Sequence, residues 1–380
     1  MSRQLRICFV SPNGYPVLDG AKEISFVGGA EVQQALIARE LVKRGHAVSM
    51  ISHDFGQQEG VHRSGVNLLK MMPPKAGVPG VRFFHPLMTS LWGAMRRSGA
   101  DVYYQRCAGG LTGMVVGIAN ALGKSSVFAG ASDSDFDASL PRVGLIRDKM
   151  LFGYGVRNAT RVVVQSERQL AMCKSAFDRQ ATQINSCYSY SGKPARSDGP
   201  IIWVGAIRSV KRAELFVELA RRLSSYRFLL VGGAPQNDPV FIRVKERASG
   251  VTNLVLTGHV ATDEVESYFD GASLLVNTSI TEGFPNTFLQ AWSRGVPTVS
   301  FFDSGAQEEG HKVGVVVEDL DSMADAVVEL QQSRDAWVEH SRRSVRYFQQ
   351  NFAIERSIDQ YERLFAGIVP EVSQLAQKVK

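Results

Sequence analysis

The chain has 380 residues, enough for two domains of ordinary size, and 44% of them are hydrophobic, which supports sizeable cores. Its 43 Lys and Arg against 37 Asp and Glu give a net charge of +6 that is scattered along the chain, so nucleic acid is not an indicated partner. The cysteines form no CxxC pair, which predicts free thiols in a reducing compartment, and no apolar stretch approaches the ~20 residues of a membrane span. We therefore expect a cytoplasmic protein, either soluble or peripheral on the inner face of the membrane.

Short apolar runs alternate with helical patterns in the first half of the chain. The runs predict strands at residues 7–10, 47–51, 102–104, 126–129 and 161–165. Between the first two, the periodicity predicts a helix over residues 31–42, which opens at Gly28 and Gly29 and stops at Gly45. Near-continuous apolar strands joined by helices predict a parallel sheet covered on both faces.

Two segments of this half imitate known motifs. Residues 117–125 have five residues between the glycines where a P-loop has four, so Gly123 is predicted to be a helix stop. Asp133 and Asp135 could hold a divalent cation, cap their own turn, or accept hydrogen bonds from an acceptor molecule. We favour the acceptor-side role and predict no metal site.

Residues 83–97 mix aromatic and apolar side chains and end in Arg96 and Arg97. The expected structure is a helix that packs against the core. The alternative is an interfacial helix that rests on an anionic membrane surface, with both arginines at the headgroups.

A second set of strands is predicted at residues 201–204, 228–231, 254–256, 274–277, 298–301 and 313–317. Residues 186–199, punctuated by Ser, Gly and Pro, predict a linker between an N-terminal domain (1–185) and a C-terminal domain (200–350). The pattern is helical from Asp335 onward, and residues 351–380 are predicted to form a helix that returns to the N-terminal domain. The chain is thus predicted to be an α/β protein with two Rossmann-like domains.

One candidate binding segment follows the strand predicted at 274–277. Glu282 alone would be an ordinary helix-start carboxylate, but Gly283 and the residues after it form a tight turn before a helical run. Unpaired N–H groups at a helix N-terminus favour phosphate, whereas a carboxylate needs neutral hydroxyl donors. A sugar attached to a phosphate satisfies both.

A second candidate segment follows the strand predicted at 201–204. Gly205 turns the chain, and Arg208, Lys211 and Arg212 follow before the next helix. This position is the carboxyl edge of a parallel sheet, where such folds bind ligands, so Arg208 and Lys211 are predicted to neutralise a diphosphate. Arg212 is assigned to the surface.

With these motifs, essentially the whole chain resembles the retaining glycosyltransferases of family four, which have the GT-B fold. The resemblance is carried by residues 28–31, 205–211, 277–287 and 291–297. It implies two Rossmann-like domains that face each other across a cleft, with a C-terminal helix that crosses back to the N-terminal domain. It also implies that the C-terminal domain holds a nucleotide-diphosphate sugar donor.

The resemblance further implies a role for each matching position. Glu282 would accept hydrogen bonds from the donor sugar, and Lys211 would bind the diphosphate. The remaining donor contacts would come from Gly28, Gly29, Gly205, Gly233, Val260, Gly283, Phe284, Asn286 and Thr287.

The sequence departs from the family pattern at two positions. Gln290 stands where the family usually has a second Glu for the ribose hydroxyls, and it retains one hydrogen-bond acceptor. Ala206 stands where Arg is common, and Arg208 could supply the missing guanidinium.

The resemblance implies a retaining, metal-independent transfer without a cofactor, to a hydroxyl of a glycan or a lipid-linked acceptor, in cell-surface polysaccharide or glycolipid synthesis. A non-catalytic nucleotide-sugar scaffold or sensor of the same fold is the alternative, suggested by Gln290 and Ala206. A sugar-nucleotide epimerase fits the Glu282 segment less well, and the absent GxGxxG fingerprint disfavours a dehydrogenase.

Overall fold

The computed structural model describes residues 4–19, 28–141, 143–190, 192–235, 237–261, 264–280, 282 and 284–369. The chain forms two compact units. Unit 1 contains the described residues up to Cys187 and those from Ile354 onward, and unit 2 contains Tyr188–Ala353. Gly283 lies outside the described residues.

The described strands follow the chain in two groups. In unit 1 they are β1 (Arg6–Val10), β2 (Ala47–Ser52), β3 (Gly60–Val61), β4 (Asn67–Lys70), β5 (Val102–Arg106), β6 (Ser125–Ala129), β7 (Arg161–Val164) and β8 (Thr182–Gln183). In unit 2 they are β9 (Ile201–Val204), β10 (Phe228–Val231), β11 (Leu254–Leu256), β12 (Leu274–Asn277), β13 (Thr298–Ser300), β14 (Gln307–Glu308), β15 (His311–Lys312) and β16 (Val315–Val316).

The α-helices alternate with these strands. Those before unit 2 are α1 (Tyr15–Asp19), α2 (Gly29–Lys43), α3 (Thr89–Ser98), α4 (Gly110–Ala121), α5 (Ile146–Asn158) and α6 (Glu167–Phe177). The others are α7 (Ala213–Arg222), α8 (Pro239–Ala248), α9 (Asn286–Arg294), α10 (Leu320–Gln332), α11 (Arg334–Asn351) and α12 (Ile354–Ala366). None of these helices is long and apolar enough to cross a membrane.

Unit 1 is built on a sheet of strand order β3-β4-β2-β1-β5-β6-β7-β8, parallel except where β3 meets β4. Ile7 in β1 pairs with Val48 on one side and Val102 on the other. Strands β5 and β6 are buried along their whole length, because helices cover both faces of the sheet. The predicted parallel sheet is therefore confirmed for this unit.

The predicted return of the C-terminal helix to the first domain is also confirmed. Helix α12 belongs to unit 1, where Ile358, Tyr361 and Phe365 are buried in the core. The Tyr361 hydroxyl lies 3.2 Å from that of Tyr104 in β5, and His46 Nε2 lies 2.8 Å from Glu362 Oε1.

Unit 2 repeats the architecture with a parallel sheet of order β11-β10-β9-β12-β13-β16. Ile202 in the central strand β9 pairs with Leu229 in β10 and Leu275 in β12. Helix α7 follows β9 and buries one apolar face, which includes Phe216 and Leu219, against this sheet. A separate antiparallel hairpin joins β14 to β15.

Some elements differ from the sequence prediction. The run at 313–317 is not one strand, because Gly314 adopts a positive φ of 89° and leaves only Val315–Val316 in the sheet. Residues 83–97 form an irregular turn over Phe83–Met88 followed by α3, and α3 buries Leu91, Ala94 and Met95 as a core-packing helix should. Residue Gly123, with φ of 65°, lies between α4 and β6, which confirms the helix stop.

The four cysteines form no disulfide. Burial raises the pKa of the Cys8 and Cys187 thiols to about 12, so both remain protonated and unreactive at neutral pH.

Candidate functional site

The candidate site of unit 2 lies where the strand order of its sheet reverses. From β9 the chain passes to β10 on one side of the sheet, and it later returns to β12 on the other side. The chain connections that follow β9 and β12 therefore run to opposite sides of the sheet, although both begin at its carboxyl edge. In open parallel sheets this divergence creates the crevice in which ligands bind.

Direct hydrogen bonds join these two loops. The Ile280 N–H donates to the Val210 carbonyl at 3.0 Å, and the Thr278 hydroxyl donates to the Lys211 carbonyl at 2.7 Å. Trp203 in β9 in turn donates from Nε1 to the Thr278 hydroxyl at 3.0 Å. These bonds fix the backbone on either side of the crevice.

Lys211 and Glu282, which are 71 residues apart in sequence, meet at this point. Lys211 Nζ forms an ion pair with Glu282 Oε1, and the same oxygen accepts a hydrogen bond from the Ser279 hydroxyl at 2.6 Å and lies 3.4 Å from Asn277 Nδ2. The carboxylate side chain is 11% exposed and the lysine side chain 28%. The structure thus brings together one ammonium and one carboxylate that are both reachable from solvent, and their role in binding stays a prediction.

The other two cations of the β9 loop differ from each other. Arg208 is exposed and precedes a 3-10 turn, Ser209–Lys211. Arg212, assigned to the surface by its sequence, is half-buried: its Nε donates to the Thr278 carbonyl at 2.8 Å, and its guanidinium lies 4.8 Å from the centre of the Phe301 ring. That prediction was wrong because Arg212 adopts a left-handed conformation, with φ of 47°, that turns the chain into α7.

Glycines allow the loops after β9, β10 and β11 to approach backbone to backbone. A side chain at Gly232, whose φ is 148°, would overlap the Gly205 carbonyl oxygen, and one at Gly233 would lie 2.7 Å from the His259 nitrogen. Val260 follows this contact and is half-buried. The predicted donor-side residues Gly205, Gly233 and Val260 therefore lie along one edge of the sheet.

Helix α9 begins at Asn286, with Pro285 as its N-cap residue. Asn286 and Thr287 are the first two residues of this helix, and the Phe288 N–H donates to the Pro285 carbonyl at 3.0 Å. The Phe284 ring stacks on Phe352 with centroids 4.8 Å apart, so this side chain packs inside unit 2 and only its backbone is suited to a ligand.

Sequence reasoning missed a polar cluster beside this helix. Gln290 Nε2 donates to Glu266 Oε1 at 2.8 Å, and Glu266 Oε2 pairs with Arg294 Nη2 at 2.9 Å. Arg294 is buried and also pairs with Asp270 at 2.9 Å. Burial and the neighbouring Glu266 carboxylate raise the pKa of the Tyr188 hydroxyl, which donates to that carboxylate. No short motif signals a contact between residues 24 positions apart.

The candidate residues of unit 1 occupy two places. Gly28 is the N-cap residue of α2, and Gly29 is its first residue. Asp135 is only 4% exposed and accepts hydrogen bonds from the Ala131 N–H at 2.7 Å and the Ser132 hydroxyl at 3.3 Å. Its carboxylate therefore caps its own turn, and the acceptor-side role of Asp135 stays a prediction.

Asp133 is more accessible than Asp135. Its side chain is 39% exposed, lies 3.3 Å from Arg168 Nε and accepts a hydrogen bond from Gln169 Nε2 at 3.0 Å. Within the described ranges, no group of three or more His, Cys, Asp or Glu side chains is arranged to hold a metal ion.

A known protein family matches the part of the chain that contains this candidate site. Residues 199–333 match the family model described as "Glycosyl transferases group 1". The matched segment lies inside unit 2 and contains Lys211, Glu282 and Gln290. No protein with a curated function matches the chain.

Solved structures resemble nearly the whole chain. Sucrose-phosphate synthase from Thermosynechococcus elongatus is 18% identical, with a TM-score of 0.72 over 96% of this chain and 100% of that one. The catalytic domain of starch synthase IV from Arabidopsis thaliana, bound to ADP and acarbose, is 13% identical, with a TM-score of 0.67 over 97% and 100%. WaaG, a glycosyltransferase involved in lipopolysaccharide biosynthesis, is 14% identical, with a TM-score of 0.66 over 95% and 100%. The fold is therefore that of the GT-B glycosyltransferases.

Proposed function

We propose that this protein is a retaining glycosyltransferase that moves a sugar from a nucleotide-diphosphate donor to a hydroxyl acceptor. The observation that carries the proposal is the contact between Lys211 and Glu282 at the strand-order reversal of unit 2, inside the segment that matches a glycosyltransferase family. A nucleotide sugar brings phosphate to the ammonium and hydroxyl groups to the carboxylate. Both charged side chains then keep a partner when the ligand binds.

In the proposed reaction, the bond from the anomeric carbon to the diphosphate oxygen breaks while the acceptor oxygen bonds to that carbon on the same face. The acceptor proton passes to the leaving phosphate oxygen, so no protein nucleophile is needed. Lys211 and the exposed Arg208 stabilise the charge that develops on the leaving diphosphate. Glu282 orients the transferred sugar through its hydroxyl groups.

We propose that the acceptor is a glycan or a lipid-linked hydroxyl compound and that the reaction serves cell-surface polysaccharide or glycolipid synthesis on the cytoplasmic side of the membrane. The reducing environment suits the four free cysteines. WaaG, which shares the fold, acts in lipopolysaccharide biosynthesis.

Donor hydrolysis without acceptor tests whether the protein is an enzyme. We expect slow release of free sugar from one of UDP-, GDP- or ADP-sugar, and the α or β configuration of early product, read by NMR, should match that of the donor. Binding of a donor without any turnover would support the scaffold or sensor alternative. Inversion at the anomeric carbon would contradict the retaining mechanism.

Metal removal tests a further part of the proposal. In our mechanism Lys211 and Arg208 supply the positive charge that stabilises the leaving group, and no metal ion takes part. Excess EDTA should therefore leave the hydrolysis rate within about twofold of the rate without EDTA. A loss of activity that Mg²⁺ or Mn²⁺ restores would show that a metal ion is required.

A further inference from the structure

Unit 2 contains a cavity at the edge of its sheet opposite the candidate site. Its volume is about 340 Å³, and it is lined by residues 197–199, 225–227 and 330–332 together with Arg334. The first two segments precede β9 and β10, so the cavity lies at the amino edge of the sheet, whereas the Lys211 loop follows the carboxyl end of β9. Ligand pockets have volumes of about 300–1,000 Å³. This amino-edge cavity is therefore large enough for a small molecule.

Hydrogen bonds hold the walls of the amino-edge cavity together. The buried Ser273 hydroxyl donates to the Pro200 carbonyl at 3.2 Å and accepts from Gln331 Nε2 at 3.0 Å, which ties the end of α10 to the start of β9. Asn253 Nδ2 donates to the Tyr226 carbonyl at 2.9 Å and to two carbonyls near the end of α7, which fixes the turn before β10. The walls are thus preformed, and preformed walls reduce the entropy cost of binding.

Two arginines on different segments give the cavity its charge. Arg227 and Arg334 are exposed, and among the residues that the structure describes neither forms an ion pair with a carboxylate; Arg227 Nη2 donates instead to the Asp198 carbonyl at 3.2 Å. The Asp198 carboxylate accepts hydrogen bonds on both oxygens from Arg196, at 3.0 and 2.8 Å. Its charge is already compensated, so the cavity offers two guanidinium groups to an anion.

The position of Arg334 also favours an anion. Arg334 is the first residue of α11, a helix of 18 residues whose start is fixed by the Ser333 hydroxyl, which accepts from the Ala336 N–H at 3.2 Å. A cation is unfavourable at this end, because the helix dipole places partial positive charge there. Asp335 shares the first turn but does not line the cavity. A bound anion would be stabilised by the helix end and by the guanidinium together.

The remaining lining groups indicate the body that carries the anion. Ser197, Ser225 and Gln332 provide neutral donors and acceptors, which suit hydroxyl groups, and Tyr226 and Leu330 provide a ring and methyl groups. Guanidinium groups recognise phosphate through paired hydrogen bonds. The combination matches a phosphate ester of a small polyhydroxy compound.

We propose that the amino-edge cavity binds a sugar phosphate, with the phosphate bound by Arg227 and Arg334 and the sugar hydroxyl groups bound by Ser197 and Ser225. The cavity and the crevice beside Lys211 lie at opposite edges of the sheet, so a sugar phosphate and a nucleotide sugar can bind at the same time. The proposal does not depend on whether unit 2 transfers a sugar.

Isothermal titration calorimetry of the full chain with glucose 6-phosphate and glucose 1-phosphate tests the proposal. At least one of them should bind more tightly than inorganic phosphate and than glucose, since each of these supplies only part of the contacts. Arg227→Gln and Arg334→Gln should each weaken binding roughly tenfold, through the loss of one charge-assisted contact. The Arg334 side chain has no hydrogen-bond partner among the described residues, so Arg334→Gln should leave Tm unchanged, which separates lost binding from unfolding.

The matched control is Arg243→Gln, which removes an exposed arginine of α8 outside the cavity and should bind like the wild type. Lys211→Ala should also bind the sugar phosphate like the wild type. The proposal is overturned if neither sugar phosphate binds the folded wild type, if inorganic phosphate binds as tightly as both, or if Arg243→Gln weakens binding as much as Arg334→Gln. These three outcomes leave the proposed function of unit 2 unaffected. The proposal is also overturned if Lys211→Ala abolishes binding, because the sugar phosphate would then occupy the crevice beside Lys211.

Discussion

Lys211 occupies an unusual position for a charged side chain, since it is mostly enclosed and its partner Glu282 is more enclosed still. Enclosure weakens solvent screening, so a charge that develops next to Lys211 interacts with it more strongly than it would in water. The hydrogen bonds of Thr278 and Ile280 fix the backbone that carries Lys211. The backbone of Lys211 is therefore held in place, and its ammonium is held by the ion pair with Glu282.

Replacing this ammonium should reduce catalysis more than it reduces folding. We expect Lys211→Ala to lower the turnover of donor by ~10²–10³, the usual cost of removing one preorganised charge-assisted donor. The measurement is the hydrolysis or transfer rate at saturating donor. Lys245→Ala, which removes an exposed lysine from α8 of the same unit, is the control and should leave the rate unchanged. A rate for Lys211→Ala within threefold of wild type would show that Lys211 does not stabilise the leaving group.

Gln290 has a neighbour that explains why an amide suits this position. Its side-chain N–H donates to Glu266 Oε1, and a carboxylate in the same place would face that carboxylate at close range. We therefore expect Gln290→Glu to destabilise the protein, by about 1.4 kcal/mol for each unit by which the pKa of the introduced carboxyl is raised.

The pH dependence of this variant follows from the direction of that shift. A carboxyl with a raised folded-state pKa binds its proton more tightly in the folded protein, so stability is lost as the pH rises from about 4.3, the unfolded value, through the folded-state value. Urea unfolding at several pH values measures the effect. Gln290→Met, which loses the hydrogen bond without adding a charge, serves as the control. Parallel pH profiles for the two variants would refute the repulsion.

At the scale of secondary structure, helix α12 shows how a C-terminal segment becomes part of a distant core. Ile354, Ile358, Tyr361 and Phe365 follow the three- and four-residue spacing of one helix face, and all are buried in unit 1. Outside that face, Arg44 pairs with Asp359 and Glu362. The apolar face stabilises this contact, because partly exposed ion pairs contribute little.

Shortening one side chain of this face should weaken unit 1. We expect Ile358→Ala to destabilise it by ~2–5 kcal/mol, because the substitution removes fully buried methyl groups and leaves a cavity. Hydrogen exchange of the β1 and β5 amides measures the effect. Arg356→Ala is the control, because Arg356 lies on the exposed face of the same helix. This substitution should change stability by less than about 0.5 kcal/mol. Unchanged exchange in Ile358→Ala would mean that α12 does not support the core.

The sequence predicted most central strands because buried parallel strands are short apolar runs between helices, as in β1, β5, β9 and β12. It missed β4, whose apolar run is only the pair Leu68 and Leu69. It also missed four strands of two residues each, β3, β8, β14 and β15, which have no apolar pattern. At the candidate site, the Lys211 and Glu282 segments were recognisable from local turns. The Glu266 contact with Gln290 and the inward turn of Arg212 depend on tertiary packing, which leaves no local signal.

At the scale of the whole molecule, fold and sequence are retained to very different extents. Structures that are 13–18% identical to this chain cover 95–97% of it, whereas the family model matches residues 199–333. The apolar pattern of two sheets can be kept by many sequences, since cores tolerate exchange among hydrophobic side chains of similar volume. Recognition of a ligand requires particular polar groups, and the matched segment contains the loops that we propose to supply them.

Binding of the donor should therefore be visible as stabilisation of unit 2. A ligand at 100 times its dissociation constant stabilises the folded state by ~2.7 kcal/mol, which corresponds to a rise in Tm of roughly 5–10 °C for a domain of this size. We expect one of UDP-, GDP- and ADP-sugar to produce such a shift in a thermal-unfolding experiment. The corresponding nucleoside monophosphate should shift Tm less, because it lacks the second phosphate for Lys211 and Arg208.

The same experiment with Lys211→Ala distinguishes specific binding from a general effect of anions. The shift should shrink in this variant and persist in Lys245→Ala, since only the first lysine lies at the strand-order reversal. Because the loops that we propose to bind the donor follow β9 and β12, donor should also slow hydrogen exchange at residues 205–211 and 277–280. If saturating amounts of all three donors leave both Tm and exchange unchanged in the folded wild-type protein, the crevice between these loops does not bind a nucleotide sugar of these classes.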